Sequence, residues 1–194
     1  MRRTLFVVVP IVVAAASAAL LAQAQRQPAG GGAQPIAAGL RQTWDGAKRN
    51  ITQSAEVMPE ANYGFRPTVE KPSSDGAQVR TFGQILAHVA GASYVFCAAA
   101  KGEPSPHAED AFEKTATTRA AIITAVADSM AYCDTAFALA DGRLAETIDL
   151  PFGMGKASRA TALVMNVGHL NEHYGNLVTY FRIKGIVPPS SRPR

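Results

Sequence analysis

Apolar residues recur at three- and four-residue steps in four separate stretches of the chain, a spacing that places them on one face of a helix. The stretches cover residues 36–58, 81–101, about 117–140 and 158–185. Between the third and fourth stretches the pattern allows a short extended piece. Four helices of about 20 residues, without an alternating strand pattern, predict an all-α four-helix bundle.

Local signals mark the ends of these helices. Thr81 and Gln84 have the spacing of a capping box at the start of helix 2, and Ser158 is a suitable cap for helix 4. Asp141, followed by a glycine, is the predicted stop of helix 3, and Gly185 that of helix 4. The connections before helix 2 and before helix 4 are long, which allows crossovers and is often a sign of function.

The first 24 residues have the order of a secretory signal: a basic start, an apolar run and a small-residue cleavage pattern ending at Ala24. An uncleaved N-terminal anchor is the alternative, since the run is near the lower length limit for crossing a bilayer. We expect residues 1–24 to be a cleaved signal, residues 25–35 a flexible linker and residues 36–194 the folded domain. The expected location is periplasmic or secreted, with no membrane contact after cleavage.

The charge of the chain argues against nucleic acid as a partner. The formal net charge is +4, but Arg2 and Arg3 lie in the expected signal and two more arginines lie in the C-terminal tail. The remainder is nearly balanced and lacks the clustered basic face of a nucleic-acid-binding protein. A homodimer is compatible with the sequence, which leaves the oligomeric state open.

Cys97 and Cys133 are the two cysteines, and each falls on the apolar side of a predicted helix. After export they could form one disulfide, because extracytoplasmic compartments are oxidising. They could equally be two small buried hydrophobic side chains, because the sequence does not determine the distance between their Cα atoms. Both interpretations stay open at this point.

Three of the four histidines fall on or beside the inward faces of predicted helices. His169 and His173 are four residues apart on helix 4, and His88 lies on helix 2. An i, i+4 pair presents both rings on one side of a helix, and bundle cores often hold metal sites. One divalent cation would satisfy three buried imidazoles and leave a coordination position open, as in catalytic sites. Hydrogen-bonded core histidines are the alternative. His107, in a Pro-rich loop, is expected at the surface.

Residues 169–173 also match the H-x-x-E-H pattern of inverted zinc proteases, in which Glu172 would be the general base. Such enzymes need an acidic ligand further downstream, and no Asp or Glu follows Glu172. We therefore expect Glu172 at the rim of the site or behind its ligands. Asn166 and Tyr174 on helix 4 and Trp44 on helix 1 are further candidates to line the pocket, although core packing is the simpler role for Tyr174 and Trp44.

The segments "TFGQILAHVAGASYVFC" and "HLNEHYGNLVTYFRIKGIVPPSS" resemble the DinB-like family of DNA-damage-inducible, YfiT-like four-helix bundles, with "MPEANYGFRP" and Trp44 as weaker support. The resemblance covers about residues 37–191. It implies a divalent metal bound by one histidine of helix 2 and two of helix 4, which here are His88, His169 and His173. Zinc and nickel are the metals expected, although imidazole ligands alone do not choose between them.

The resemblance also implies an activity. Its better-understood members are thiol-dependent transferases and a thiol-dependent isomerase, in which the metal holds the thiol as a thiolate. Those members are cytosolic, whereas this chain begins with an expected signal. We therefore expect a metal-dependent hydrolase or a thiol transferase that acts on a small molecule or thiol. The alternative is a non-catalytic bundle that binds metal or a small ligand in envelope stress.

Overall fold

The structure is a computed structural model that describes residues 34–71, 74–76 and 78–193. The expected signal and nearly all of the expected linker lie outside these residues. In chain order the helices and strands are α1 (Pro35–Val57), α2 (Phe82–Lys101), α3 (Ala111–Thr115), α4 (Arg119–Ala136), α5 (Asp141–Leu144), β1 (Thr147–Asp149), β2 (Lys156–Ser158) and α6 (Arg159–Ile183). Short 3-10 turns also occur at Glu60–Asn62, Pro151–Gly153 and Pro189–Ser191.

The four long helices α1, α2, α4 and α6 form the bundle that the sequence predicts. Helices α1 and α2 each pack against both α4 and α6. Consecutive helices α1 and α2 therefore lie diagonally across the bundle, and so do α4 and α6. Each diagonal is spanned by one of the two long connections, which confirms the expected crossovers. The second of these contains an antiparallel hairpin in which Ile148 of β1 faces Ala157 of β2.

The core between the helices is apolar and contains several aromatic rings. Burying a large apolar side chain contributes about 1.5–3 kcal/mol, so these residues dominate the stability of the bundle. The largest fully buried side chains are Trp44, Ile51, Met58, Phe82, Leu86, Met130, Phe137, Leu144, Leu163, Leu170, Leu177 and Phe181.

Helix α2 is the most deeply buried of the four. Within the described residues it is the one helix long and apolar enough to cross a membrane, yet 83% of that stretch is buried inside the bundle. Packing on α4 and α6 accounts for its apolar composition.

The predicted helix ends are largely confirmed. The Gln84 backbone N–H donates to Thr81 Oγ1 (3.2 Å) and the Thr81 N–H donates to Gln84 Oε1 (2.9 Å), which completes the capping box. The hydroxyl of Ser158 accepts from the Thr161 N–H at the start of α6. Gly185 follows α6 with a positive φ of 68°, a conformation that glycine adopts without strain.

The predicted end of helix 3 is wrong in two respects. Helix α4 ends at Ala136, and Asp141 begins a short helix instead of stopping a long one. The reason is tertiary: the Asp141 carboxylate accepts from the backbone N–H groups of Ala37 (2.8 Å) and Ile36 (3.3 Å) and so caps α1. Ile36 is the first apolar residue of the helical pattern, but at this helix start its side chain is exposed.

Cys97 and Cys133 form a disulfide that joins α2 to α4, with their Cα atoms 5.3 Å apart. The bond lies in the buried core, since neither cysteine is exposed. Asn166 of α6 is also fully buried, and its amide nitrogen lies 3.4 Å from Cys97 Sγ and 3.6 Å from Cys133 Sγ. Three of the four bundle helices therefore meet at the disulfide.

Candidate metal centre

His88, His169 and His173 converge between α2 and α6. The Nε2 atom of His169 lies 3.1 Å from Nε2 of His88 and 3.1 Å from Nε2 of His173. Each residue offers one nitrogen, and the three nitrogens lie within 4.8 Å of one another. Among the His, Cys, Asp and Glu side chains that the structure describes, these three histidines are the group close enough together to share a metal ion.

Helix geometry explains why the three rings lie close together. His169 and His173 are one turn apart on α6, so both rings project from the same side of that helix. His88 comes from the middle turns of α2, which packs directly on α6. Only 6% of the His88 surface and 9% of the His173 surface are exposed, and His169 is half-buried, so the imidazoles meet where water has only partial access.

The outer nitrogens of two imidazoles have hydrogen-bonding neighbours. His88 Nδ1 lies 3.1 Å from Glu113 Oε1, a carboxylate of α3. His173 Nδ1 lies 3.4 Å from the side-chain amide of Asn176, one turn further along α6. An amide can offer either its oxygen or its nitrogen at such a contact, so the Asn176 oxygen can accept a hydrogen bond from the His173 Nδ1–H. His169 Nδ1 is buried without a partner among the described residues.

The environment keeps two of the histidines neutral. The pKa of His169 is lowered to about 3, chiefly by burial, and the neighbouring charges of His173, His88 and Arg80 act in the same direction. Burial also lowers the pKa of His173, with His88 and Arg80 acting in the same direction. Neutral imidazole is the form that binds metals, so these rings are ready to act as ligands at neutral pH.

The cluster fits a divalent cation better than it fits internal hydrogen bonding. Because the Glu113 carboxylate only accepts, His88 must carry its proton on Nδ1 and its lone pair on Nε2. If His169 donates its Nε2–H to that lone pair, the same nitrogen has no second proton to donate to His173 and no lone pair with which to accept from it. At most one of the two short contacts is then a normal hydrogen bond. One cation would engage all three nitrogens, with the carboxylate behind His88 as in many metal sites.

The structure places the other candidate residues outside the cluster. Trp44 is fully buried, stacks on Phe137 and donates from its indole N–H to Asp134, contacts typical of a core residue. The Tyr174 hydroxyl accepts from the backbone N–H of Ser190, which ties the C-terminal segment to α6.

The two remaining candidates, Asn166 and Glu172, and the expected surface residue His107 have different surroundings. Asn166 contacts the disulfide, as described above. Glu172 is exposed on α6, where its charge raises the pKa of His173 against the larger effect of burial. His107 is exposed, as expected, with its ring against Tyr94 and Phe112.

Aromatic side chains border the cluster on one side. The ring centroid of Phe96 lies 5.8 Å from that of His169 and 5.5 Å from that of Phe152. Phe152 is at the tip of the β1–β2 hairpin, has a φ of 58° and leaves 51% of its surface exposed. Phe152 is therefore a half-exposed ring that reaches the histidines only through Phe96.

Sequence reasoning did not identify Glu113, Arg80 or Phe152. Glu113 lies in a short helix within a segment that the pattern indicates only as a break, and Arg80 lies at the end of a long connection. Neither position shows a periodicity, and the contact of Glu113 with His88 spans 25 residues. The sequence signal for Arg80 is its position directly before Thr81, the cap of α2, and Glu113 has no comparable local signal.

Solved structures with similar folds include three of interest. YfiT from Bacillus subtilis, a probable metal-dependent hydrolase with an unusual four-helix bundle topology, is 16% identical with a TM-score of 0.55, over 82% of this chain and 94% of that chain. A DinB-like protein from Bacillus cereus ATCC 10987 is 16% identical with a TM-score of 0.56, over 78% of this chain and 94% of that chain. A mycothiol-dependent maleylpyruvate isomerase is 17% identical with a TM-score of 0.56, over 74% of this chain and 60% of that chain.

Identities this low show a shared fold and nothing more specific. This chain spans about 60% of the length of the isomerase. No curated protein matches the sequence. The model of the DinB superfamily matches residues 43–177, a span that contains all three clustered histidines. The chain therefore belongs to the DinB superfamily.

Proposed function

We propose that this protein is an exported metal-dependent hydrolase of a small molecule, with zinc or nickel held by His88, His169 and His173. The observation that carries the proposal is the convergence of three Nε2 atoms from two buried histidines and one half-buried histidine, linked by contacts of 3.1 Å. In a bundle core such an arrangement is costly unless the imidazoles share a ligand. Three protein ligands leave a coordination position open for water or substrate.

A divalent cation held by the three imidazoles would act as a Lewis acid and would make a water-derived nucleophile available near neutral pH. The protein residues keep the imidazoles neutral, fix their orientation and exclude bulk water. Burial keeps protons off His169 and His173, while Glu113 orients His88. Buried Phe96 packs against His169 and half-exposed Phe152 packs on Phe96, so we propose that the substrate carries an apolar group on that side.

One observation supports hydrolysis over thiol transfer. The buried disulfide is typical of proteins in oxidising compartments, where a reduced low-molecular-weight thiol is scarce. The disulfide and the signal-like N-terminus together support the proposal of a periplasmic or secreted location.

Thiol transfer is the second candidate, supported by the fold shared with a mycothiol-dependent enzyme. A non-catalytic bundle that binds metal or a small ligand in envelope stress is the third. All three make the same prediction about the histidines and differ in turnover. The experiment must therefore measure metal content first and chemistry second.

The test begins with metal analysis of the mature protein purified from cells grown with zinc and nickel. We expect about one equivalent of metal per chain, its loss in the His88→Ala and His173→Ala variants, and its retention in the His107→Ala control. Wild-type protein without bound metal would refute the proposal. The loaded protein is then assayed with chromogenic esters, phosphoesters and amides, and separately with an electrophile and a thiol. Turnover only with the thiol would favour transfer, and no turnover with any of them would favour the binding role.

A further inference from the structure

We propose that Glu113, held by Arg80, is a positioning residue for the metal centre. In this role it sets the tautomer of His88 and remains outside the coordination sphere, so that the open position is kept for substrate. The inference rests on the proposed metal function and concerns a residue pair that lies between α3 and the N-terminal end of α2.

The first part of the inference follows from the contact with His88. Glu113 Oε1 lies 3.1 Å from His88 Nδ1, and only 20% of the Glu113 side chain is exposed. An ionised carboxylate can only accept, so the proton of His88 must lie on Nδ1. The lone pair then lies on Nε2, the nitrogen that faces His169. Carboxylates behind a ligating histidine act in this way in many metal sites, and removing them commonly weakens metal binding 10- to 100-fold.

The second part follows from the contacts with Arg80. Arg80 Nε donates to Glu113 Oε2 (2.9 Å) and Arg80 Nη2 donates to Glu113 Oε1 (3.3 Å), so the guanidinium grips both carboxylate oxygens. Arg80 is itself tied to α6, because its carbonyl accepts from the Tyr180 hydroxyl at 2.6 Å. To become a metal ligand, Glu113 would have to leave both Arg80 and His88. The pair therefore keeps a nearby carboxylate from filling the fourth position.

Glu109 provides a matched control on the same connection. Its Oε1 atom is 3.6 Å from His88 Nδ1, beyond hydrogen-bonding distance, and 43% of its side chain is exposed. A carboxylate at this distance and exposure contributes only a screened charge. Substituting Glu109 changes the net charge near the site as much as substituting Glu113, but it leaves the short contact in place.

The first experiment measures zinc affinity by competition with a chromophoric chelator, on the mature chain. We expect Glu113→Ala to bind zinc 10- to 100-fold more weakly than wild type, Glu113→Gln to recover part of the loss because its amide oxygen still accepts, and Glu109→Ala to stay within about threefold. Long-range proton–nitrogen NMR of the metal-free proteins reports the His88 tautomer. We expect the Nδ1-protonated form in wild type and a mixture in Glu113→Ala.

The outcomes separate this inference from the proposed function. An unchanged His88 tautomer in Glu113→Ala, or zinc affinity equal to that of Glu109→Ala, would overturn the role of Glu113 even if wild type binds zinc. Absence of zinc binding in wild type would refute the metal function, while the NMR experiment on metal-free protein would still decide the tautomer. Thermal unfolding of the same metal-free proteins shows whether a variant has lost its fold.

The second experiment tests the role of Arg80 with cobalt(II) as a visible probe of the site and azide as an added ligand. We expect Arg80→Met to weaken the binding of azide to the cobalt-loaded protein, because the freed carboxylate competes for the open position. The double variant Arg80→Met with Glu113→Gln should restore azide binding toward wild type. Wild-type azide binding in Arg80→Met would overturn this part of the proposal.

Discussion

Gly91 of α2 lies directly against the backbone of Glu109. A β-carbon at position 91 would be 1.9 Å from the Glu109 carbonyl oxygen and 2.7 Å from its carbonyl carbon, closer than any side chain permits. Glu109 precedes the short helix that carries Glu113. The absence of a side chain at Gly91 therefore lets this segment approach α2 closely enough for Glu113 to reach His88.

Replacing this glycine should disturb both the packing and the site. We expect Gly91→Ala to lower the free energy of unfolding by about 1–3 kcal/mol, because the backbone of the Glu109 segment must move. The same movement should weaken zinc binding in the direction seen for Glu113→Ala. Urea unfolding and chelator competition measure the two effects.

The control for that variant is Gly46→Ala, at a helical glycine of α1 with nothing within 4 Å of its added β-carbon. There the better helix propensity of alanine should raise the free energy of unfolding by up to about 1 kcal/mol. Zinc affinity should be unchanged. A Gly91→Ala protein as stable as Gly46→Ala would show that the close approach can relax without cost.

The stability of the metal-free protein should depend on pH through its buried histidines. The pKa of His169 is 6.5 in the unfolded chain and about 3 in the folded protein. Between these values the unfolded chain holds more protons, so acidification favours unfolding. The stability is fully present above pH 6.5 and is lost as the pH falls toward 3. His173, whose pKa is also lowered, acts in the same direction.

Urea midpoints of EDTA-treated protein between pH 7 and 5 test this expectation, because carboxylates with ordinary or lowered pKa values titrate mainly below that range. We expect the midpoint to fall with pH in wild type and to fall less steeply in His169→Gln. Equal slopes would contradict the lowered pKa of His169. Zinc-loaded wild type should show the steeper acid dependence expected when protons and metal compete for the same lone pairs.

The disulfide should contribute strongly to stability. Cys97 and Cys133 are separated by 36 residues, and closing a loop of that size stabilises a folded protein by roughly 2–4 kcal/mol in chain-entropy models. We expect the Cys97→Ala, Cys133→Ala double variant to lose about that amount in urea unfolding, while retaining zinc. The matched comparison is wild type reduced with a phosphine, which should lose a similar amount. Equal stability of all forms would show that the bond contributes nothing to the fold.

Trp44 should behave as a core residue. Its ring stacks on Phe137 at a centroid distance of 4.4 Å, and its indole N–H donates to Asp134, which also pairs with Lys48. Trp44→Phe keeps most of the apolar contact but removes the donor to Asp134, so we expect a loss of about 1–3 kcal/mol in the free energy of unfolding. Zinc affinity should stay at the wild-type value. A selective loss of zinc with stability intact would instead place Trp44 in the site.

Helix positions and the pair of His169 and His173 could be predicted because the relevant signals are local, and the resemblance to DinB-like proteins supported His88 as their partner. The capping box of Thr81 and Gln84, the Ser158 cap and the one-turn spacing of His169 and His173 all depend on residues at most four apart. The failures concern distant partners. Asp141 looks like a helix stop, but it caps α1 more than 100 positions away, with a separation of 104 residues from Ala37.

The sequence by itself determined an all-α bundle and the two helices that carry the imidazoles, because helical periodicity decides which side chains share a face. Only the tertiary structure decided what surrounds them. In the folded chain Glu113, from a segment without periodicity, contacts His88 and is bound by Arg80. The fold also forms the disulfide between α2 and α4 and buries Trp44 in the core. These contacts depend on the diagonal crossovers and on the close approach at Gly91, and no local pattern encodes the distance between two segments that meet only in the folded chain.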